Sequence, residues 1–278
     1  MTPTTHFLPR RSHDTIAMHR TKAAGGGLGG AIRAEWTKFW SVRSTWWSLI
    51  AAAALTFAYV LPVAASVGID PDEPMSAPGL LAGGTFYLAQ FAVVALAAMF
   101  IASEYSTGSI RATLQWVPAR SRMLLAKAAV LTPVLFVFGA LTAGAATAIA
   151  IPLMRGNELP SSAAGLVWSF VATGGTFALT GLLSLGLGAA LRSVAGSITV
   201  AFMVLLMTAM LAGSLGLMAL LDYLPGMAGM NAIVGGGQPN PLSGGAVPYS
   251  TGAGLLIFAG WAAAALAIGN TVLRRRDA

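Results

Sequence analysis

Residues 124–153 read LLAKAAVLTPVLFVFGALTAGAATAIAIPL, with Lys127 as the single charge in the run. A helix of that length extends about 45 Å, more than the roughly 30 Å of hydrocarbon in a bilayer. Five more runs meet the same requirement, at about 45–67, 80–102, 164–190, 194–221 and 252–273. The expected fold is therefore an all-α polytopic membrane protein with six transmembrane helices. A transmembrane β-barrel would show alternating segments of about 10 residues, and these runs are continuous and far longer. Composition agrees: of 278 residues, 56% are hydrophobic and 9% charged, outside the range of soluble domains. Cysteine is absent, so thiol ligands and disulfides are excluded.

Charge placement sets the expected orientation. Arg10, Arg11, Arg20, Lys22, Arg33, Lys38 and Arg43 precede the first run; Arg111, Arg120 and Arg122 fall between the second and third, and Lys127 near the start of the third. Arg192 lies between the fourth and fifth, and Arg274, Arg275 and Arg276 follow the sixth. All fifteen fall on one side, and only Arg155 on the other. Positive residues resist translocation, so that side is expected to be cytoplasmic, with both termini inside. Asp70, Asp72, Glu73, Glu158 and Asp222 fall outside. The net charge of +7 thus reads as membrane topology and predicts no nucleic-acid partner. The Ala- and Gly-rich composition fits a bacterial inner membrane. No apolar run of signal-peptide length occurs in the first 30 residues, so the first span is expected to direct insertion.

Residues 1–30 read as a disordered cytoplasmic tail ending in a glycine-rich hinge, and hold all three histidines. Residues 31–44 read as an amphipathic connecting helix. On a helical wheel Ile32, Trp36, Phe39 and Trp40 share one side, while Arg33, Thr37, Lys38 and Ser41 lie opposite. That pattern suits a helix lying in the headgroup region, or simple anchoring of the first span. Residues 45–278 form the six-helix domain. The acidic, proline-rich loop at 68–79 offers Asp70, Asp72 and Glu73, a spacing that suits a solvated turn better than calcium; no metal site and no cofactor is expected. Residues 103–123 are longer than a plain connector needs. Ser106 or Thr107 caps an expected short helix running to about Val117, ended by Pro118. Residues 226–234 are weakly apolar and too short to span, which suggests a re-entrant or interfacial helix. Small residues at Ala140, Gly144 and Ala148, and at Ser184 and Gly188, are expected to mark close helix packing or a dimer seam.

The missing chemistry is equally informative. The middle of each span lacks ionisable residues, which weakens a proton-coupled carrier. Glu104 and Lys127 sit near the inner ends of their spans, able to snorkel. Gly213-Ser214-Leu215-Gly216 has no base to activate its serine and reads as packing within the fifth span. None of Lys22, Lys38 and Lys127 follows a glycine as a phosphate-binding loop requires. Catalytic residues are therefore not expected, and any ATP hydrolysis must reside on another polypeptide.

The order of parts resembles the permease subunits of ABC-2 type ATP-binding-cassette exporters, particularly actinobacterial ones. The likeness rests on Ala34-Glu35-Trp36-Thr37-Lys38, on Glu104-Tyr105-Ser106-Thr107-Gly108-Ser109-Ile110-Arg111, and on Leu224-Pro225-Gly226. The resemblance implies a coupling helix between spans two and three, docked in a cytoplasmic ATPase through Glu104, Tyr105, Thr107, Gly108, Ile110, Arg111 and Leu114. It implies an interfacial connecting helix bearing Glu35, Trp36, Lys38, Phe39 and Trp40, and short external helices between spans five and six. It also implies a second permease subunit, as homodimer or heterodimer, enclosing a path for an amphiphilic cargo. Phe86, Phe177, Met203 and Met207 are candidates to face that path, or to serve packing and lipid contact. Glu104 and Arg111, seven residues apart, would face each other if their helix continued; otherwise Glu104 bridges local bases. Two other readings stand beside this one: a membrane anchor that recruits a cytoplasmic partner, and an ion-coupled carrier working alone.

Overall fold

In the computed structural model the protein is described over residues 27–70, 75–106, 108, 120–235 and 245–275. The described residues are helical almost throughout and contain no strand, only an isolated bridge between Ser76 and Leu159. Six helices are long and apolar enough to span a bilayer: Arg43–Ile69, Ala77–Tyr105, Arg120–Leu153, Ala163–Leu191, Val194–Ser214 and Thr251–Arg275. These are spans one to six below. The protein is an all-α polytopic membrane protein.

Local chemistry fixes the ends of these helices. Ser76, Ser162 and Ser193 cap spans two, four and five, each accepting a backbone N–H three residues on, from Gly79, Gly165 and Gly196. Span five ends earlier than expected. Gly216 is left-handed at φ 71°, and the Leu217 N–H reaches Ala212 O (2.8 Å) while the Gly216 N–H reaches Gly213 O (3.1 Å). That pair of bonds is a Schellman stop, which the apolar residues after Gly216 hide from a hydropathy reading. Gly213 and Gly216 thus end the helix rather than pack within it. Span two carries a π-helical turn at Thr85–Ala89 and span five another at Met203–Met207.

Span four is the most enclosed helix, bordered by spans two, three and six. Glycines bring these backbones together. A Cβ on Gly174 would strike Phe136 O of span three, and one on Gly186 would strike the Ala265 backbone of span six. The small stripe in span three was expected at Ala140, Gly144 and Ala148; of these Ala140 packs on span four, 3.3 Å from where a Cβ on Gly174 would stand. Gly139, Ala143 and Ala146 are buried beside it, with Gly139 against Gly174 and Phe177, whereas Ala148 is exposed and a Cβ on Gly144 would reach only Phe170, at 4.0 Å. In span four, Ser184 and Gly188 do face a neighbour: Ser184 Oγ donates to Val94 O (2.8 Å), and Gly188 lies against Ile101. Leu141 and Leu256 lie 69% and 74% exposed, a surface suited to lipid and ill suited to water.

Between spans five and six the helix Pro225–Val234 is tucked into the bundle, buried from Pro225 through Ile233. Gly226 rests on Leu205 O in the π-turn of span five and against Phe86 in that of span two. Trp168 Nε1 donates to Ala232 O (2.9 Å). This is the short segment expected at 226–234, held inside the protein as helix. The amphipathic helix runs Leu28–Ser41, starting before the expected residue 31. The tail before Gly27, Asp72, Glu73 and the helix expected to end near Val117 lie outside the described residues.

Candidate functional site

The amphipathic helix joins span one through a single extended residue, Val42 (φ −95°, ψ 125°). Its β-branched side chain suits that conformation. Trp46 Nε1 donates back across the elbow to Trp40 O (3.2 Å). The face turned to the bundle is Ala31, Glu35 and Phe39, at four-residue intervals. Phe39 is fully buried, edge-on to Phe100 of span two at 5.2 Å. Trp36, placed on the apolar side of the wheel, is 47% exposed. Lys38, placed on the polar side, turns inward to carboxylates.

Those carboxylates build the site. Lys127, in the second turn of span three, is fully buried. Its ammonium donates to Glu35 Oε2 (2.7 Å), to Glu104 Oε1 (2.6 Å) and to Phe100 O (3.1 Å). Three donors meet three acceptors, and the Phe100 ring lies 4.2 Å away by its centroid. Lys38 donates to Glu104 Oε1 (2.6 Å) and Glu35 Oε1 (3.2 Å). Glu35 and Glu104 are 4% and 5% exposed. Two acids and two bases thus form a neutral quartet joining the amphipathic helix to spans two and three. Burying these charges singly would cost several kcal/mol each, so the pairing is what makes the burial tolerable.

Lys127 does not snorkel to the interface, as its position in the sequence suggested; it is held inward by two acids. Glu104 bridges Lys38 and Lys127, while its expected partner Arg111 lies outside the described residues. Burial alone would lower the pKa of Lys38. Hydrogen bonds and charges from Glu104 and Glu35 outweigh that and hold it above the ordinary lysine value.

Of the other expected contact residues, Tyr105 lies near the end of the span-two helix with the Arg192 guanidinium 5.1 Å over its ring. Arg192 itself is left-handed at φ 54° and ends span four, its N–H bonded to Gly188 O. Gly108 follows the helix at φ 71°, its N–H 3.3 Å from Tyr105 O. A residue with a side chain would be strained there, although no atom crowds the position. Thr107, Ile110, Arg111 and Leu114 lie outside the described residues. Phe86 and Phe177 are buried in helix packing, Phe177 stacked on Phe138 at 6.4 Å. Met203 is half exposed.

At the opposite end a second polar group secures the tucked helix. Asn231 Nδ2 donates to Asp222 Oδ1 (2.9 Å) and Tyr249 Oη (3.1 Å), and Tyr249 donates to Asp222 O. Burial pushes the Tyr249 phenol up to about 12, with Asp222 and Tyr223 adding to it against the Asn231 bond. Among the described residues no cluster of three or more metal-ligating side chains occurs.

Fold and site together define a six-span helical membrane protein whose amphipathic helix is clamped to two spans by a buried ion quartet. No protein-family model matches the chain, and no curated protein matches it.

Proposed function

We propose that the chain is the permease subunit of an ATP-binding-cassette exporter, coupled to a separate cytoplasmic ATPase and paired with a second permease subunit. The observation that carries this reading is the position of the quartet. Glu104 lies four residues before Gly108, where the span-two helix has ended. A force applied to the segment after Gly108 reaches Glu104 first, and through Lys38 and Lys127 it reaches the amphipathic helix and span three. An element pressed by a nucleotide-driven partner needs that kind of stiff attachment, because packed, bistable units convert a local push into rocking of whole helices. The resemblance in Glu104-Tyr105-Ser106-Thr107-Gly108-Ser109-Ile110-Arg111 points the same way. In this reading the basic end faces the cytoplasm of a bacterial cell, in line with the charge asymmetry. Chemistry on the permease itself is not required: ATP binding to the partner supplies the differential free energy between inward- and outward-open states.

The test is co-purification with candidate cassette ATPases, followed by ATP-dependent efflux of amphiphiles from reconstituted vesicles. Gly108→Trp is expected to abolish ATPase association and efflux together. Association and efflux that survive it would refute the coupling assignment. Association without any efflux, across ATPases and cargoes, would instead favour an anchor that recruits a partner.

A further inference from the structure

Between the start of span three and the end of span six lies a cleft of about 210 Å³. Leu125 and Ala128 of one helix and Leu266 and Ala267 of the other form its walls; Ser121 and Asn270 lie at its polar end. Two bonds across the helices fix that end. Ser121 Oγ donates to Asn270 Oδ1 (2.7 Å), and Arg120 Nη1 donates to Leu273 O (2.7 Å). The hydrogen-bonding capacity left over is all of one kind. Asn270 Nδ2 has no partner among the described residues, and it is not one of the nitrogens shut off from the surface. Arg274 is exposed one turn beyond Asn270 on the same face, and Arg122 is exposed three residues before Leu125. Among the described residues no carboxylate pairs with either arginine. Donors without acceptors call for an anion. The walls call for an apolar body: Leu125 is 59% exposed, and Ala267 is exposed too. A free phosphate meets the first demand only, and an apolar helix meets the second only.

We propose that this cleft holds an anionic phospholipid from the leaflet at the basic end of the protein. Its phosphate sits between Arg274 and Arg122, the Asn270 amide donates to a phosphate or ester oxygen, and one acyl chain runs along Leu125, Ala128, Leu266 and Ala267. Basic side chains over an apolar cleft between spans are the chemistry that retains such a headgroup. A zwitterionic phospholipid brings the same phosphate together with an ammonium, which finds no carboxylate among the described residues of the cleft. The site goes beyond the exporter reading and needs no partner chain, so it holds even if that reading fails.

The experiment uses the full chain in maltoside micelles, titrated with phosphatidylglycerol, phosphatidylethanolamine and phosphatidylcholine of one chain length. Retention is read by native mass spectrometry, and the melting curve checks that each variant folds. Phosphatidylglycerol is expected to be retained about tenfold or more over the other two, and Arg274→Gln to lower its retention about fivefold. Arg275→Gln removes the same charge at the same end, but from the face of span six that carries Thr271 and Ile268 and not the cleft. Its retention is expected to stay within about twofold of the parent. Equal losses from the two variants would reduce the effect to general attraction by a basic surface and overturn the proposal. Ala267→Phe, at an exposed position, fills the cleft with no change of charge and is expected to lower retention at least as far as Arg274→Gln. Unchanged retention in that folded variant, or equal retention of all three lipids by the parent, would also overturn it. Inorganic phosphate alone is expected to leave the melting curve unmoved; a shift matching that of the lipid would overturn the lipid assignment.

Discussion

Replacing Lys127 by methionine keeps the length and apolar stem of the side chain and removes only its charge and donors. Three bonds disappear, to Glu35 Oε2, Glu104 Oε1 and Phe100 O. What remains is two carboxylates, each at most 5% exposed, sharing one lysine. Breaking a buried pair by deleting one partner costs about 3–5 kcal/mol, mostly as the stranded charge. Lys38 still touches both acids, so the lower part of that range, about 3 kcal/mol, is the expected loss. The double variant Lys127→Met with Glu104→Gln restores one base to one acid and is expected to recover about 1 kcal/mol or more. That recovery is the sign of coupling in a double-mutant cycle. Unfolding in mixed micelles, followed by the fluorescence of the seven tryptophans, gives the free energies. If Lys127→Met costs less than about 1 kcal/mol, the value of an exposed pair, the quartet does not fasten the helix and the reasoning fails.

Other outcomes follow from the same geometry. Lys38→Met, at a side chain 38% exposed, is expected to cost about 1 kcal/mol or less in the same assay. Gly226→Val drives a side chain into Leu205 O and Phe86; it is expected to lower stability by about 1–3 kcal/mol or more and to expose the tucked helix to protease. Tyr249 is raised from 10 to about 12, so its contribution is complete below pH 10 and lost as pH rises toward 12. Tyr249→Phe is therefore expected to flatten the alkaline fall in stability over that window, and an unchanged slope would contradict the assignment. Gly108→Ala is expected to cost about 1–2 kcal/mol from its left-handed backbone alone, since nothing crowds the site.

The six spans were legible because apolar length alone encodes them, and the tucked helix because a short apolar stretch between glycines and prolines has few other fates. Phase was harder to read. In span three nearly every residue is small or apolar, so a stripe at Ala140 and Gly144 and one at Gly139 and Ala143 look alike, and only the contact of Gly139 with Gly174 and Phe177 sets the second deeper. The end of span five was hidden because leucines continue past the Gly216 turn. The quartet escaped because Glu35 and Lys127 are 92 residues apart and pair only once the amphipathic helix folds back. One signal was present: Glu35 lies four residues before Phe39 and four after Ala31, an acid on a stripe otherwise fit for burial. Two acids and two lysines near the same ends of three helices is the pattern that would have found it.

The most direct measurement takes advantage of a chain without cysteine. Spin labels at Thr37→Cys and Leu125→Cys, both exposed positions, report the distance from the amphipathic helix to span three in nanodiscs. A single narrow distribution in the parent chain, broadened by Lys127→Met, is the predicted result. A distribution already broad in the parent, or one that Lys127→Met leaves unchanged, would contradict the claim that the ion quartet welds these helices into one unit.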